Sequence, residues 1–277
     1  MNRYFTFSLM ACLGGFLWAC QTSAPVTSPL DDAGFTSLFN GQDLDNWDLK
    51  IRSGDSAEAA KVFHVEDGMV HIFGQHPDSF MLNDGQNLTH GLMYTRESYS
   101  RYRFSFEYKW GTKIANNFDQ FQYDAGMYYH VFDDKIWPFG LEYQVRYNHL
   151  TDQNHTGDYW ASKARMQWTS ADSGKTFMLP SEGGMPQTQR GGEHRAKADA
   201  PFHGLDGEWN RCEVIVMDST YSIHILNGEI VNMATELSHG SGIIGLQSET
   251  AEIFYRNIKI QEYPEFIPAK AFLEALK

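Results

Sequence analysis

Residues 101–110 read RYRFSFEYKW. Tyr102, Phe104, Phe106, Tyr108 and Trp110 fall on one side of an extended chain, and Arg103, Ser105, Glu107 and Lys109 on the other. A helix would scatter such a row around its circumference, whereas a strand gathers it on one face. The same alternation recurs at 124–132, 141–147, 212–216, 221–226, 242–249 and 252–260. Asn227-Gly228 separates two apolar runs, and Asp67-Gly68 precedes another; both pairs favour tight hairpin turns. Only the tail, residues 268–277, has helical spacing, with Pro268 at its start. No strand–helix–strand rhythm is present. The expected fold is all-β, a two-sheet antiparallel jelly-roll sandwich with a short C-terminal helix. Residues 181–200 show no apolar period and are expected to form a long surface loop.

The chain has 277 residues, 42% hydrophobic and 14% aromatic, which suffices for one large domain over 35–277. Its net charge of -13 repels phosphate backbones, so nucleic acid is excluded as a partner. Arg3 and the apolar run 4–18 have the form of an export signal too short to span a bilayer. Leu17-Trp18-Ala19-Cys20 resembles a bacterial lipoprotein box. The expectation is therefore a signal peptide over 1–20, a lipid on Cys20, and a Ser/Thr/Pro-rich tether over 21–34. That places the protein in a bacterial cell envelope, at the periplasm or outer membrane. With Cys12 removed and Cys20 acylated, Cys212 stands alone and no internal disulfide can form.

Three strands carry an unusual polar face. Residues 124–130 offer Asp124, Gly126, Tyr128 and His130; residues 142–146 offer Glu142, Gln144 and Arg146; residues 245–249 offer Gly245, Gln247 and Glu249. Lysine is absent from these faces, unlike an ordinary solvent face. Amides and carboxylates exchange hydrogen bonds with hydroxyls, rings cover the C–H faces of a sugar, and glycine lets a ligand approach the backbone. Trp137 and Trp160 flank these segments as candidate platforms. This combination points to a saccharide.

The order of motifs resembles the 3-keto-disaccharide hydrolase domain family, which has a concanavalin A-like lectin/glucanase fold. FTSLFNGQDLDNW (35–47) matches its opening pattern, and FHVEDGMVHI (63–72) its next hairpin. RYRFSFEYKW, DAGMYYH, WPFGLEYQV, TGDYW (156–160), GEWN (207–210), LNG (226–228) and GIIGLQSETAEIFYRNIKI (242–260) follow in the family's order. The chain departs from many members in having Asp124-Ala125-Gly126 for Asn-Ser-Gly, and Ser248-Glu249 for an Asp-His pair.

The resemblance implies cleavage of 3-keto-glycosides. A ketone at C3 acidifies the hydrogen at C2; a base removes it, the enolate expels the C1 substituent, and water adds back. Glu142, His130 and Asp124 are the candidate catalytic groups. Gln144, Arg146, Tyr128, Lys109, Asp158, Trp160, Gln247 and Glu249 are the candidate substrate-binding groups. A divalent metal ion is left open: His130, Glu142, Asp124 and His194 are suitable donors, but no spacing fixes a site. The substrate must first be oxidised, so an upstream sugar oxidoreductase is an expected partner. The alternative is a non-catalytic carbohydrate-binding module. A conventional retaining glucanase is disfavoured, because Glu142-x-Gln144-x-Arg146 lacks that enzyme's second and third carboxylates.

Overall fold

The computed structural model describes residues 28–78, 87–116, 122–171, 175–187, 192–197 and 199–277. The aromatic row lies on the inner face of one long strand, Arg101–Ile114, where Tyr102, Phe104, Phe106 and Tyr108 are fully buried. That strand pairs antiparallel with Asn210–Met217 on one side and Ala251–Glu262 on the other. Together they centre a ten-stranded sheet. An eight-stranded sheet packs against it. Seven of its strands run in the order Gly192–His194, Tyr159–Ser162, Gly140–Asn148, Tyr123–Val131, Ile243–Ser248, Gly91–Thr95 and Trp47–Ile51, and the eighth, Gln153–Asn154, pairs with Gly140–Asn148 beside this path. Every pairing along this order is antiparallel. The fold is thus the expected two-sheet jelly roll.

The core sits between the sheets. The Phe106 and Tyr143 rings are 6.0 Å apart. Tyr143 Oη donates to the Ile225 carbonyl at 3.0 Å, and Tyr129 Oη to Ser222 Oγ at 3.0 Å. These bonds let phenols bury their rings without stranding their hydroxyls. Cys212 is free and buried in the same layer.

Turn chemistry follows the sequence. Asn227 and Gly228 have φ of 50° and 89° and join Tyr221–Leu226 to Glu229–Thr235. Asp67 and Gly68, with φ of 49° and 77°, do the same between Phe63–Glu66 and Met69–Ile72. The tail forms the helix Ala269–Ala275, whose Phe272 packs with Ile215 and Ile223 on the outer face of the larger sheet.

Three features differ from expectation. A second helix, Ser56–Val62, is started by Asp55, which accepts from the amides of Ala57 and Glu58 at 2.9 and 3.1 Å. Seven residues are too few for a helical period to stand out, although the Asp cap is the usual start signal. The expected loop at 181–200 contains the strands Met185–Gln187 and Gly192–His194. Each is a three-residue strand added to a sheet edge, too short for an apolar alternation to be read. Finally, residues 28–34 rest against the domain: Arg103 donates to the Leu30 carbonyl at 2.9 Å and meets Asp32 at 3.2 Å. The signal segment and Cys20 lie outside the described residues. Among the described residues no helix is long and apolar enough to cross a membrane.

Candidate active site

The outward face of the eight-stranded sheet gathers side chains from separate strands. Glu142 stands opposite Tyr128, Gln144 opposite Gly126, and Arg146 opposite Asp124. Gly245 is opposite Tyr128 on the other side, so the period of two brings Gln247 beside Gly126 and Glu249 beside Asp124. Trp160 is registered against Glu142, and Glu193 against Trp160. Leu92 is opposite Gln247, and His90, one residue before that strand, lies with Nδ1 3.8 Å from Glu249 Oε1. One row thus runs Arg146, Asp124, Glu249, His90 across the sheet.

This face is not washed by solvent. Relative exposure is 3% for Glu142 and Gln144, 7% for Asp124, 8% for Glu249 and 0% for Gln247 and His90. Trp160 and Trp137 flank it and stay 40% and 46% exposed. Trp137 stacks on His90 at 4.0 Å. Hollows of about 380 and 500 Å³ exist elsewhere, one beside Trp47 and Tyr99 and one beside the C-terminal helix. The polar row is closed over by comparison.

Its groups hold one another in place. Arg146 Nε donates to Asp124 Oδ2 at 3.0 Å, and its Nη1 to Glu193 Oε1 at 3.0 Å. Gln144 Nε2 donates to Asp124 Oδ1 and to the Ala125 carbonyl. Tyr128 donates to Glu142. Gly126 leaves room for this carboxyl, since a Cβ there would run into Glu142 Oε1.

Burial dominates the electrostatics. It raises Glu142 from 4.5 to about 8. The Tyr128 hydrogen bond and Arg146 pull it down, while Asp124 and Glu193 push it further up. Asp124 rises to about 6 through burial, opposed by the Arg146 charge and hydrogen bond. Glu249 is raised as well, first by burial and then by Asp124 and Glu142. Three carboxyl groups so close, with little water, cannot all ionise together. The face therefore holds protons at neutral pH and offers both a base and an acid.

Two expected members are elsewhere. His130 has φ of 50° and sits in a bulge: Ile243 pairs with Val131 but Gly245 pairs with Tyr128. The extra residue turns its ring toward Tyr102, at 6.2 Å, and its Nδ1 donates to the His239 carbonyl at 2.9 Å. It lies among core residues, away from Glu142. Lys109 belongs to the other sheet, with Nζ over the rings of Trp209 and Phe254 at 5.1 and 5.2 Å. Neither joins the site.

Asp158 is adjacent rather than central. Its carboxylate accepts from the Ala196 amide at 2.6 Å and lies 3.1 Å from Arg195 Nε and 3.2 Å from His155 Nδ1. His155 in turn lies 3.7 Å from Glu193 Oε1, which ties Asp158 to the row through Arg146.

The proposed metal donors do not come together. His194 shares the register of inward-facing Tyr159 and meets Trp168 at 5.1 Å. Among the described residues, His155, Asp158 and Glu193 form the group with metal-compatible spacing. Arg195 and Arg146 already occupy its carboxylates, and their charges oppose a second cation. The donor set does not fit a divalent ion.

The sequence reading missed His90 and Glu193. His90 was legible in principle, as the residue two before Leu92 and four before Tyr94 on the same face.

Residues 34–261 match the profile of the 3-keto-alpha-glucoside-1,2-lyase-like domain. No curated protein sequence matches the chain. Among solved structures, it is similar to a protein of Parabacteroides distasonis ATCC 8503 provisionally described as a glycosyl hydrolase. That pair shares 20% identity and a TM-score of 0.48, over 83% of this chain and 94% of that one. It is also similar to the carbohydrate binding module CBM66 from Bacillus subtilis, with 10% identity, a TM-score of 0.40 and coverage of 83% and 96%. A third likeness is to the VIP36 exoplasmic/lumenal domain in its Ca2+/Man3GlcNAc-bound form, with 12% identity, a TM-score of 0.41 and coverage of 83% and 91%.

Proposed function

The chain belongs to the 3-keto-alpha-glucoside-1,2-lyase-like domain family, and from that premise we propose that it cleaves 3-keto-glycosides with Glu142 as the base. The observation that carries this reading is the buried carboxyl set Asp124, Glu142 and Glu249 on one sheet face, with Glu142 held up to about 8. Its ionised fraction, which grows as pH rises toward 8, can take an activated C–H proton and still return it.

The steps balance without a cofactor. Glu142 takes the proton at C2, and the C–H electrons form a C2–C3 double bond while charge moves to the C3 oxygen. Collapse of that enolate breaks the bond from C1 to the leaving oxygen. Glu249, held protonated by burial, gives that oxygen its proton. Water then adds at C1, and C2 recovers a proton. The products are a free 3-keto sugar and an alcohol. Trp160, registered against Glu142 and exposed, would cover the C–H face of a ring entering there.

The substrate needs prior oxidation at C3, so a sugar oxidoreductase would act upstream. We also infer envelope anchoring through a lipid on Cys20, from the Leu17-Trp18-Ala19-Cys20 sequence. Replacing Cys20 with Ser should release the protein from the membrane fraction.

Incubation with matched glycosides and their 3-keto forms tests the activity. Wild type should hydrolyse the keto forms alone, and Glu142→Gln should hydrolyse neither. Equal turnover by the Gln variant would remove the central assignment. Exposed Trp137 and Trp160 would equally serve a non-catalytic binding module. Keto-sugar binding without any cleavage would select that alternative.

A further inference from the structure

Two polar atoms of the row are buried and, among the described residues, have no hydrogen-bond partner: His90 Nδ1 and Gln247 Oε1. Both residues have no solvent exposure. Burying a donor or acceptor without a partner is unfavourable, so an adjacent pair of them marks a place for a ligand's polar atoms.

With the Gln247 amide oriented as it is, the contact between the two residues assigns which atom donates. Gln247 Nε2 lies 3.3 Å from His90 Nε2. An amide N–H can only donate, so His90 Nε2 is the bare nitrogen and Nδ1 carries the ring proton. That N–H is 3.8 Å from Glu249 Oε1, beyond hydrogen-bond reach. Trp137 stacked on the ring at 4.0 Å holds its plane. The result is an N–H donor beside a carbonyl acceptor, on the same sheet face as Glu142.

We propose that His90 Nδ1–H donates to the C3 oxygen of the 3-keto sugar while Gln247 Oε1 accepts from a neighbouring sugar hydroxyl, an assignment that rests on the 3-keto-glycoside reading. A ketone oxygen has lone pairs and no hydrogen, so it must meet a donor. The adjacent hydroxyl has a hydrogen to give. As Glu142 removes the C2 proton, negative charge grows on the C3 oxygen and the bond from His90 strengthens. His90 keeps its proton throughout, and no further group transfer is needed. Burial, with the Arg52 charge, holds its ring at about 3, so the imidazole is neutral. A neutral N–H stabilises the enolate without adding a cation that would weaken Glu142 as a base.

The test compares His90→Leu, which has no donor, with His90→Gln, which keeps an N–H. On a 3-keto-glycoside, His90→Leu should lower kcat about 100-fold or more with a smaller change in KM. Exchange of the C2 hydrogen in D2O should slow in parallel. His90→Gln should recover about tenfold of the loss. A merely structural role under Trp137 would lower the melting temperature of both variants alike and leave no such difference. Turnover by folded His90→Leu within about threefold of wild type would overturn the proposal.

Binding keeps this assignment separate from the one it rests on. In Glu142→Gln protein, titration with 3-keto-glucose should show binding that His90→Leu weakens about tenfold more than it weakens glucose binding. Absence of turnover in wild type would sink the lyase reading. Equal loss for the two sugars would sink the His90 assignment alone. If His90→Leu fails to fold, His90→Phe, which also lacks a donor and keeps an aromatic ring to stack on Trp137, enters the same assays.

Discussion

Glu142→Gln should make the protein more stable near neutral pH while it removes turnover. Burial raises the Glu142 carboxyl from 4.5 to about 8. In the unfolded chain the same group releases its proton near its ordinary value. Between those values the folded state holds a proton that the unfolded state has lost. Unfolding therefore becomes more favourable as pH rises through that window, by about 1.4 kcal/mol per pH unit for one proton. At pH 7 the penalty reaches about 3 kcal/mol, and sharing of protons with Asp124 and Glu249 reduces it to about 1–3 kcal/mol. Glutamine has nearly the same shape, and its carbonyl can still accept from Tyr128, but it never ionises. The variant should be within about 1 kcal/mol of wild type at pH 4.5 and more stable by about 1–3 kcal/mol at pH 7.5. Urea unfolding at the two pH values measures this directly. If the difference between the proteins is the same at both, Glu142 ionises as readily folded as unfolded. The account of a proton-holding base would then be wrong.

Gly126→Ala places a methyl group against Glu142 Oε1. It should destabilise by about 1–3 kcal/mol and lower kcat, and the stability loss should shrink in a Glu142→Ala background; thermal melts of the four proteins give the coupling. Arg146→Met strips Asp124 of its ion pair while Asp124 stays buried. Denaturant titration at pH 8 should show a loss of about 3–5 kcal/mol, easing as pH falls and Asp124 takes a proton. A chelator such as EDTA should leave both the melting temperature and keto-glycoside turnover unchanged, because two arginines occupy the carboxylates of the His155, Asp158 and Glu193 group.

The period of two was enough to place Glu142, Gln144 and Arg146 on one side of their strand, with Leu141, Tyr143 and Val145 against the core. It also grouped Gly245, Gln247 and Glu249. What alternation cannot carry is a break in its own count. Nothing in DAGMYYHVF announces that His130 will take a positive φ, yet that single bulged residue removes it from the face shared by Asp124, Gly126 and Tyr128. Lys109 was lost for a different reason. Its strand has an equally clean polar side, but the sheet that a strand joins is decided by pairing over long sequence distances. The site could be built only once the pairings brought Asp124, Glu142 and Glu249 together. Outward position on a strand says that a side chain can meet solvent; it does not say that it will. Here the outward face is the buried one, and that desolvation turns ordinary carboxylates into groups able to exchange protons near neutral pH. The chemistry therefore depends less on which residues alternate than on what covers them. Letting water onto this face should return Glu142 toward its ordinary value, and with it remove the base.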